Sequence, residues 1–268
     1  MVLTERRKVE FPFLYSKDGN LIHIVAELKD DPAALVSLLT FLSSKVSLIG
    51  TESYSTGEGT AIFSGIGKII SKSETADSIR TWIGESNLVL SSRITHDNQG
   101  LLVDSFHHGF MSVDGEACIL LPAQVFTGTI EDLIDIFHSG GEAIVYNQGL
   151  SYAKRRWATL KAIVPNAASR FDEISNMVAA IGWAVVKITY EAGHRRLRLV
   201  NTECFECFGH TKRAGGCFFL KGMAVGLAES VFGREMNGEE TKCMKKGDDT
   251  CEFVITAKDG ERLVTNPE

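Results

Sequence analysis

With 268 residues, 44% of them hydrophobic, the chain exceeds the usual size of one domain and can fill two cores. Its formal net charge of −6 gives no overall positive field to hold nucleic acid, and runs such as "GWAVV" and "CILLPA" fall far short of a membrane span. The opening "MVLTERRKVE" lacks the apolar core of a signal peptide, and the six cysteines read as thiols or metal ligands of a cytoplasmic protein.

The first hundred residues alternate strand and helix patterns. "LIHIVAEL" (21–28) reads as a strand, and "DDPAALVSLLTFLSS" (30–44) as a helix, opened by an acidic residue and Pro32 and carrying apolar side chains at helical spacing through Leu35, Leu38, Leu39 and Leu42. "KVSLIGTESYS" and "GTAIFSGIGKI" flank the turn signal "TGEG" and form a hairpin. A helix over 73–86, with Ser73 in the capping position, and a strand over 88–97 complete the order βαββαβ. That order builds a ferredoxin-like layer of two helices on an antiparallel sheet.

Residues 1–97 resemble the ACT domain, a regulatory module that senses amino acids and related metabolites. The resemblance rests on the element order and on Asp30-Asp31-Pro32-Ala33-Ala34-Leu35, where the family usually has Asp-x-Pro-Gly-x-Leu. Ala33 stands at that glycine, and its methyl group narrows the approach of a metabolite to the backbone. A degenerate ACT-like domain serving as a dimerisation scaffold is expected, and with it a homodimer.

Residues 98–115 read as a connector whose His107 and His108 face solvent. The second domain spans 116–258, with a tail over 259–268. Helices are expected over 129–140 and 169–182, each with a glycine stop, and a basic-faced helix over 150–163 between them. "GWAVVKITYE" and "HRRLRLVNTE" alternate as hairpin strands. "CFFLKGMAVGLAESVFG" follows as an apolar helix whose Gly222 and Gly226 permit close approach of a neighbour, and two strands end the domain. The whole is an α+β chain.

"EETKCMKKGDDTC" (239–251) gathers Glu240, Cys243 and Cys251 into one polar stretch, and Cys217 opens the apolar helix before it. Four donors is the number a tetrahedral zinc takes. Lys242, Lys245 and Lys246 lie beside them to offset the charge of three thiolates and a carboxylate.

Over roughly 116–258 the chain resembles the 4-vinyl reductase domain family. The pattern is Cys217-x4-Gly222-x3-Gly226, then Gly233, Glu240-x2-Cys243 and x7-Cys251-x-Phe253. The resemblance implies one structural Zn²⁺ per chain on Cys217, Glu240, Cys243 and Cys251, near a buried pocket for a small apolar or aromatic molecule. It points to Phe171, Trp183, Tyr190, Phe205, Phe208 and His210 as the pocket, between the helices and the strands 183–190 and 195–205.

Cys204 and Cys207 form a further Cys-x-x-Cys. Placed on a strand, the two thiols point to opposite faces, one into pocket or core; a redox pair is the alternative. No dinucleotide fingerprint or flavin motif is visible, and a zinc with four protein ligands leaves no position for substrate, so a non-catalytic role is expected. A ligand-sensing regulator fits best, acting on a separate regulatory or DNA-binding protein and thereby on transcription. The alternative is an accessory carrier or chaperone for a hydrophobic metabolite or tetrapyrrole precursor. Direct DNA binding would rest on Lys154, Arg155, Arg156 and Lys161 and on Arg195, Arg196 and Arg198.

Overall fold

The computed structural model describes residues 13–17, 19–70, 74–97, 99–107, 110–111, 117–163, 166, 169–191, 196–207 and 215–258. The chain is α+β and divides into two compact units, Met1–Phe110 and Met111–Glu268. Among the described residues no helix is long and apolar enough to cross a membrane.

In the first unit a short strand β1 (Phe13–Tyr15) precedes β2 (Leu21–Lys29), α1 (Pro32–Ser43), β3 (Val46–Ser55), β4 (Thr60–Ile69), α2 (Ala76–Glu85) and β5 (Val89–Asp97). The sheet order is β3-β4-β2-β5 with every pair antiparallel, the ferredoxin-like order implied by βαββαβ. β2 lies inside the sheet and is buried along nearly its whole length. One of its faces sends Ile22, Ile24, Ala26 and Leu28 into the core under the helices, where they meet Leu38, Leu42, Ile79 and Ile83. The opposite face carries Leu21, which packs with Ile66 and Leu102. Above the first core Phe41 of α1 stacks on Trp82 of α2, ring centroids 3.5 Å apart.

The helix starts follow local chemistry. Asp31 caps α1 by accepting the Ala33 N–H at 2.9 Å, and Pro32 needs no partner for the N–H it lacks. Thr75 and Ser78 form the capping box of α2, two residues beyond the expected cap, Ser73, which lies outside the described residues.

β6 (Leu101–Val103) pairs with β1, so the stretch read as connector belongs in part to the first unit's sheet structure. His107, expected to face solvent, instead places Nδ1 2.8 Å from Asp104 Oδ2, because Asp104 also accepts the backbone N–H groups of Phe106 and His107 and so folds the loop around its own carboxylate. His108 lies outside the described residues. The short strands β7 (Phe110–Met111) and β8 (Ala117–Cys118) fall where the chain passes to the second unit.

That unit holds α3 (Ala123–Phe137), α4 (Ser139–Ile163), α5 (Phe171–Ala180), β9 (Ala184–Glu191), β10 (Arg196–Cys204), α6 (Phe218–Phe232), β11 (Met236–Lys242) and β12 (Cys251–Ala257). Its antiparallel sheet has the order β11-β12-β10-β9. The basic-faced helix is longer than expected and begins at Ser139. His138, at φ +51°, breaks the chain between α3 and α4, and the glycines after it, which read as stops, serve instead as contact points. A Cβ at Gly141 would sit 2.3 Å from the Leu133 carbonyl oxygen.

α6 is the unit's central helix, buried on nearly every side. It crosses α4 backbone to backbone: a Cβ on Gly222 would lie 2.0 Å from the Tyr146 carbonyl oxygen, and one on Gly149 2.0 Å from that of Phe219. Gly226 meets Leu150 in the same way, at 2.5 Å. The two glycines in the α6 pattern thus have a packing role, with Gly149 as their counterpart on α4. Gly222→Ala is expected to destabilise the protein by about 1–3 kcal/mol through forced separation of the helices. A chemical-denaturation midpoint equal to that of the parent would contradict this packing.

Candidate metal centre and apolar cavity

Five cysteines of the second unit converge from three directions. β10 ends in Cys204, and a 3-10 turn over Phe205–Cys207 then bends the chain, so that Cys207 does not continue the strand alternation. Cys217 is the N-cap of α6. Cys243 follows β11 and precedes a second 3-10 turn, Met244–Lys246, which Gly247 closes at φ +101° before β12 opens with Cys251. Asp248 fixes this turn by accepting the Cys243 N–H at 2.8 Å, and the Met244 N–H points at Cys251 Sγ at 3.4 Å.

The sulfurs lie at metal-site spacing. Cys217 Sγ is 3.5 Å from Cys204 Sγ, 3.3 Å from Cys207 Sγ, 3.8 Å from Cys243 Sγ and 3.7 Å from Cys251 Sγ, and Cys207 Sγ is 3.4 Å from Cys251 Sγ. A tetrahedron with metal–sulfur bonds near 2.3 Å has edges of about 3.8 Å, so a single thiophilic ion fits among these atoms. Glu240 joins them: its Oε1 accepts the Cys217 N–H at 3.0 Å, and its donor oxygen lies within 4.8 Å of the Cys217, Cys243 and Cys251 sulfurs. Gly216 makes room for that carboxylate, since a Cβ there would sit 2.2 Å from Glu240 Oε2. Cys217, Cys243 and Cys251 are wholly buried, and Cys204 almost so.

The expected set Cys217, Glu240, Cys243 and Cys251 is therefore brought together. So is a second set, Cys204, Cys207, Cys217 and Cys251. The assignment of Cys204 and Cys207 to opposite faces of a strand is corrected here. Strand alternation ends at Cys204, and the 3-10 turn carries Cys207 round to the same point.

Such crowding has an electrostatic consequence. Cys207 is driven far below the usual thiol range by hydrogen bonds from Cys204, Cys217, Cys243 and Cys251, while contacts with Cys204 and Cys207 push Cys217 and Cys251 far above it. Five thiols this close cannot all ionise unless a cation compensates them, and thiolates of this number and softness suit a thiophilic metal. Of the three lysines expected to offset the charge, Lys246 lies 3.8 Å from Glu240 Oε2. Lys242 is turned to Glu252, and Lys245 to Glu131, each at 3.9 Å.

Glu206, between Cys204 and Cys207, had no signal in the sequence. It is fully buried and accepts the N–H groups of Phe219 at 3.2 Å and Leu220 at 2.8 Å, capping α6 from a distant segment. Burial pushes its carboxyl up to about 7, against the pull of those two N–H groups and of Lys245.

Beside the sulfur cluster lies a cavity of about 150 Å³ between α4, α5, α6 and the sheet. Ala153, Leu160, Ile174, Leu199, Ala224 and Phe253 are among its apolar walls, and Arg156, Thr159 and Asn201 supply polar points. The exposed Met177 and Ile181 mark the side where the lining meets solvent. A cavity of this volume takes a benzene-sized molecule.

The expected pocket residues sit elsewhere in the same core. Trp183 and Phe205 pack with Phe126 and Phe219 in an aromatic cluster, with centroids 4.9 Å apart for Trp183–Phe205 and 5.1 Å for Trp183–Phe219. Trp183 Nε1 donates to the hydroxyl of Tyr152, a residue that does line the cavity. Tyr190 packs on Phe232, and Phe171 on the edge of the core. Phe208 and His210 lie outside the described residues, as does Arg195. The basic residues considered for DNA binding are largely answered by carboxylates: Lys154 by Glu229 at 2.6 Å, Arg196 by Glu191 at 2.6 Å and Arg198 by Glu252 at 2.5 Å.

Residues 198–257 match the model of the 4-vinyl reductase domain, and they contain every member of the sulfur cluster together with Glu240. Over 122 residues, 45% of this chain and 67% of the relative, the chain is 33% identical to "Uncharacterized protein MJ0150" of Methanocaldococcus jannaschii. The chain carries a 4-vinyl reductase domain and belongs to one family with that archaeal protein. Among solved structures it is similar to the phenol-responsive sensory domain of the transcription activator PoxR with phenol, at 12% identity, 86% of this chain, 95% of that one and a TM-score of 0.46. It is also similar to a vinyl-4-reductase family protein from Methanocaldococcus jannaschii, at 14% identity, 52% of this chain, 83% of that one and a TM-score of 0.40.

The matched segment holds most of β10 and all of α6, β11 and β12, which with the turns between them supply all the candidate ligands and part of the cavity wall. α4 and α5, which precede that segment, supply much of the remaining wall. The domain therefore forms a site only together with the helices before it.

Proposed function

We propose that the second unit is a non-catalytic sensing module. In this reading a structural zinc on Cys217, Glu240, Cys243 and Cys251 stiffens the walls of a cavity that takes a small, mostly apolar, aromatic-sized molecule. One observation carries it: the elements that bring the ligands also wall the cavity, a few residues away. Cys217 opens α6, whose Leu220 and Ala224 line the cavity; Cys204 ends β10 after Asn201; Cys251 opens β12 before Phe253. Filling the cavity therefore bears on strands and a helix whose ends the metal holds. Zinc with four protein ligands would be a brace and not a reaction centre.

The first unit serves in this reading as the dimerisation scaffold of a cytoplasmic protein, with β3 and β5 as the edges of its sheet. At the β2–α1 turn, the Ala33 N–H is already taken by Asp31 and is not available to a metabolite, which favours a scaffold over a second sensor. The signal then passes to a separate regulatory protein.

A ligand of about eight heavy atoms at about 0.6 kcal/mol each binds with roughly −5 kcal/mol, a Kd near 0.2 mM. Phenol, toluene and indole at millimolar concentration are the probes. At least one is expected to raise the melting temperature of the full chain, and Ala224→Phe, which fills the cavity, to abolish that shift with metal content unchanged. No shift with any of them would remove the ligand-sensing part and leave a braced protein-binding domain.

A further inference from the structure

The cluster holds more donors than one tetrahedral ion takes, and they are arranged in two sets. Cys204, Cys207, Cys217 and Cys251 have their sulfurs within 4.8 Å of one another, as do the donor atoms of Cys217, Glu240, Cys243 and Cys251. The sets have two members in common, Cys217 and Cys251, whose sulfurs are 3.7 Å apart. Two tetrahedra that share an edge require six donors: two bridging atoms, and two terminal ones on each side. We infer that the cluster is a two-metal site in which Cys217 and Cys251 bridge two thiophilic divalent ions, Cys204 and Cys207 completing one and Glu240 and Cys243 the other.

The distances suit that arrangement. The proposed bridging pair is separated by close to the tetrahedral edge of about 3.8 Å expected for metal–sulfur bonds near 2.3 Å. The bridging-to-terminal separations are 3.5 Å and 3.3 Å from Cys217 to Cys204 and Cys207, 3.4 Å from Cys251 to Cys207, and 3.8 Å from Cys217 to Cys243. The two terminal pairs come from separate segments, so each ion has its own clamp: the end of β10 with its 3-10 turn for one, the end of β11 for the other.

Charge does not oppose the second ion. One divalent ion on three thiolates and a carboxylate leaves a formal charge of roughly −2; five thiolates, a carboxylate and two divalent ions leave roughly −2 as well. The N-terminus of α6, capped by Cys217 itself, points its positive end at the shared edge, and Lys246 stands beside Glu240. Cys207 is the partly exposed member and gives the second ion its way in.

The Glu240–Cys243 half rests on the proposed zinc, so the test separates the two. The full chain, loaded with a small excess of Zn²⁺ and desalted, is weighed by native mass spectrometry, and Co²⁺ titration follows the sulfur-to-metal charge-transfer band. Two ions per chain are expected for the parent, and one for the Cys204→Ser/Cys207→Ser double variant, with loss of the second step of the Co²⁺ titration. Cys207→Ser alone, a change at a partly exposed position, is expected to lose the same second step and guards against misfolding of the double variant. One ion in both parent and variants overturns the two-metal inference and leaves the single zinc standing. Two ions in both overturn it by placing the second ion elsewhere, and none in either removes the zinc as well.

Discussion

Cys251→Ser should be the most damaging single substitution in the cysteine cluster, lowering the stability of the second unit by about 3–5 kcal/mol and releasing metal. Cys251 belongs to both donor sets, is wholly buried, and opens the strand that pairs with β10 on one side and β11 on the other. Serine keeps the size but offers zinc a hydroxyl that does not ionise near neutral pH, so the ion loses a ligand and the remaining thiolates lose their compensating charge. Chelator applied to the parent should reproduce most of the effect, since whatever binds only the folded state stabilises it by mass action. Acid should do the same, because each thiolate must shed a proton to bind, so occupancy falls as pH falls. Cys118→Ser, at the exposed cysteine outside the cluster, is the control and should shift stability by no more than about 0.5 kcal/mol. Denaturation of parent, chelated parent and both variants decides the matter; a Cys251→Ser midpoint equal to that of the control would show that the cluster carries no structural ion.

The first unit was legible because its signals are local and agree with one another. Alternation marked its strands, a proline and an acidic cap marked α1, and a glycine turn marked the hairpin; the βαββαβ order then left one sheet order to expect. Legibility failed where the backbone departs from its regular period. α4 starts at Ser139 because the break before it falls on His138, not on a glycine, and the glycines that looked like stops are places where helices touch. Cys207 was placed by strand alternation, which ends three residues earlier in a 3-10 turn that no residue in "CFECF" announces.

The metal and cavity sites differ in how a sequence can record them. Ligands announce themselves by chemistry, so Cys217, Glu240, Cys243 and Cys251 could be picked out by type and spacing. A cavity is a place that side chains leave empty, and its walls here are largely alanines and aliphatic residues such as Ala184, Val186, Leu199 and Ala224. Large aromatic side chains such as Trp183 and Phe205 attract notice, yet large side chains fill space, and these two meet each other and Phe219. Only the packed structure shows where the filling stops.

Glu206 is the site residue furthest from sequence reasoning, and the second large effect is expected there. Charged residues are rarely buried unless something pairs them, and this one lies between two cysteines in a segment that reads as strand. In the structure its two oxygens each take an N–H from the first turn of α6, whose N-cap, Cys217, offers no side-chain cap hydrogen bond. The carboxylate thus supplies the cap that Cys217, engaged with the sulfurs, does not, and it ties the Cys204–Cys207 turn to the helix that begins with Cys217. Glu206→Ala would leave two buried N–H groups without partners and a void at the helix end. A cost of about 2–4 kcal/mol follows from the lost bonds and desolvated donors. Glu206→Gln retains the shape and an acceptor oxygen and should recover part of that loss. Because the same contact holds Cys207 against Cys217, the alanine variant should also bind the metal on the Cys204–Cys207 side less tightly, a change visible as a weakened step in Co²⁺ titration. If Glu206→Ala unfolds at the parent's denaturant midpoint with its titration unaltered, the buried carboxylate is not the link between turn and helix.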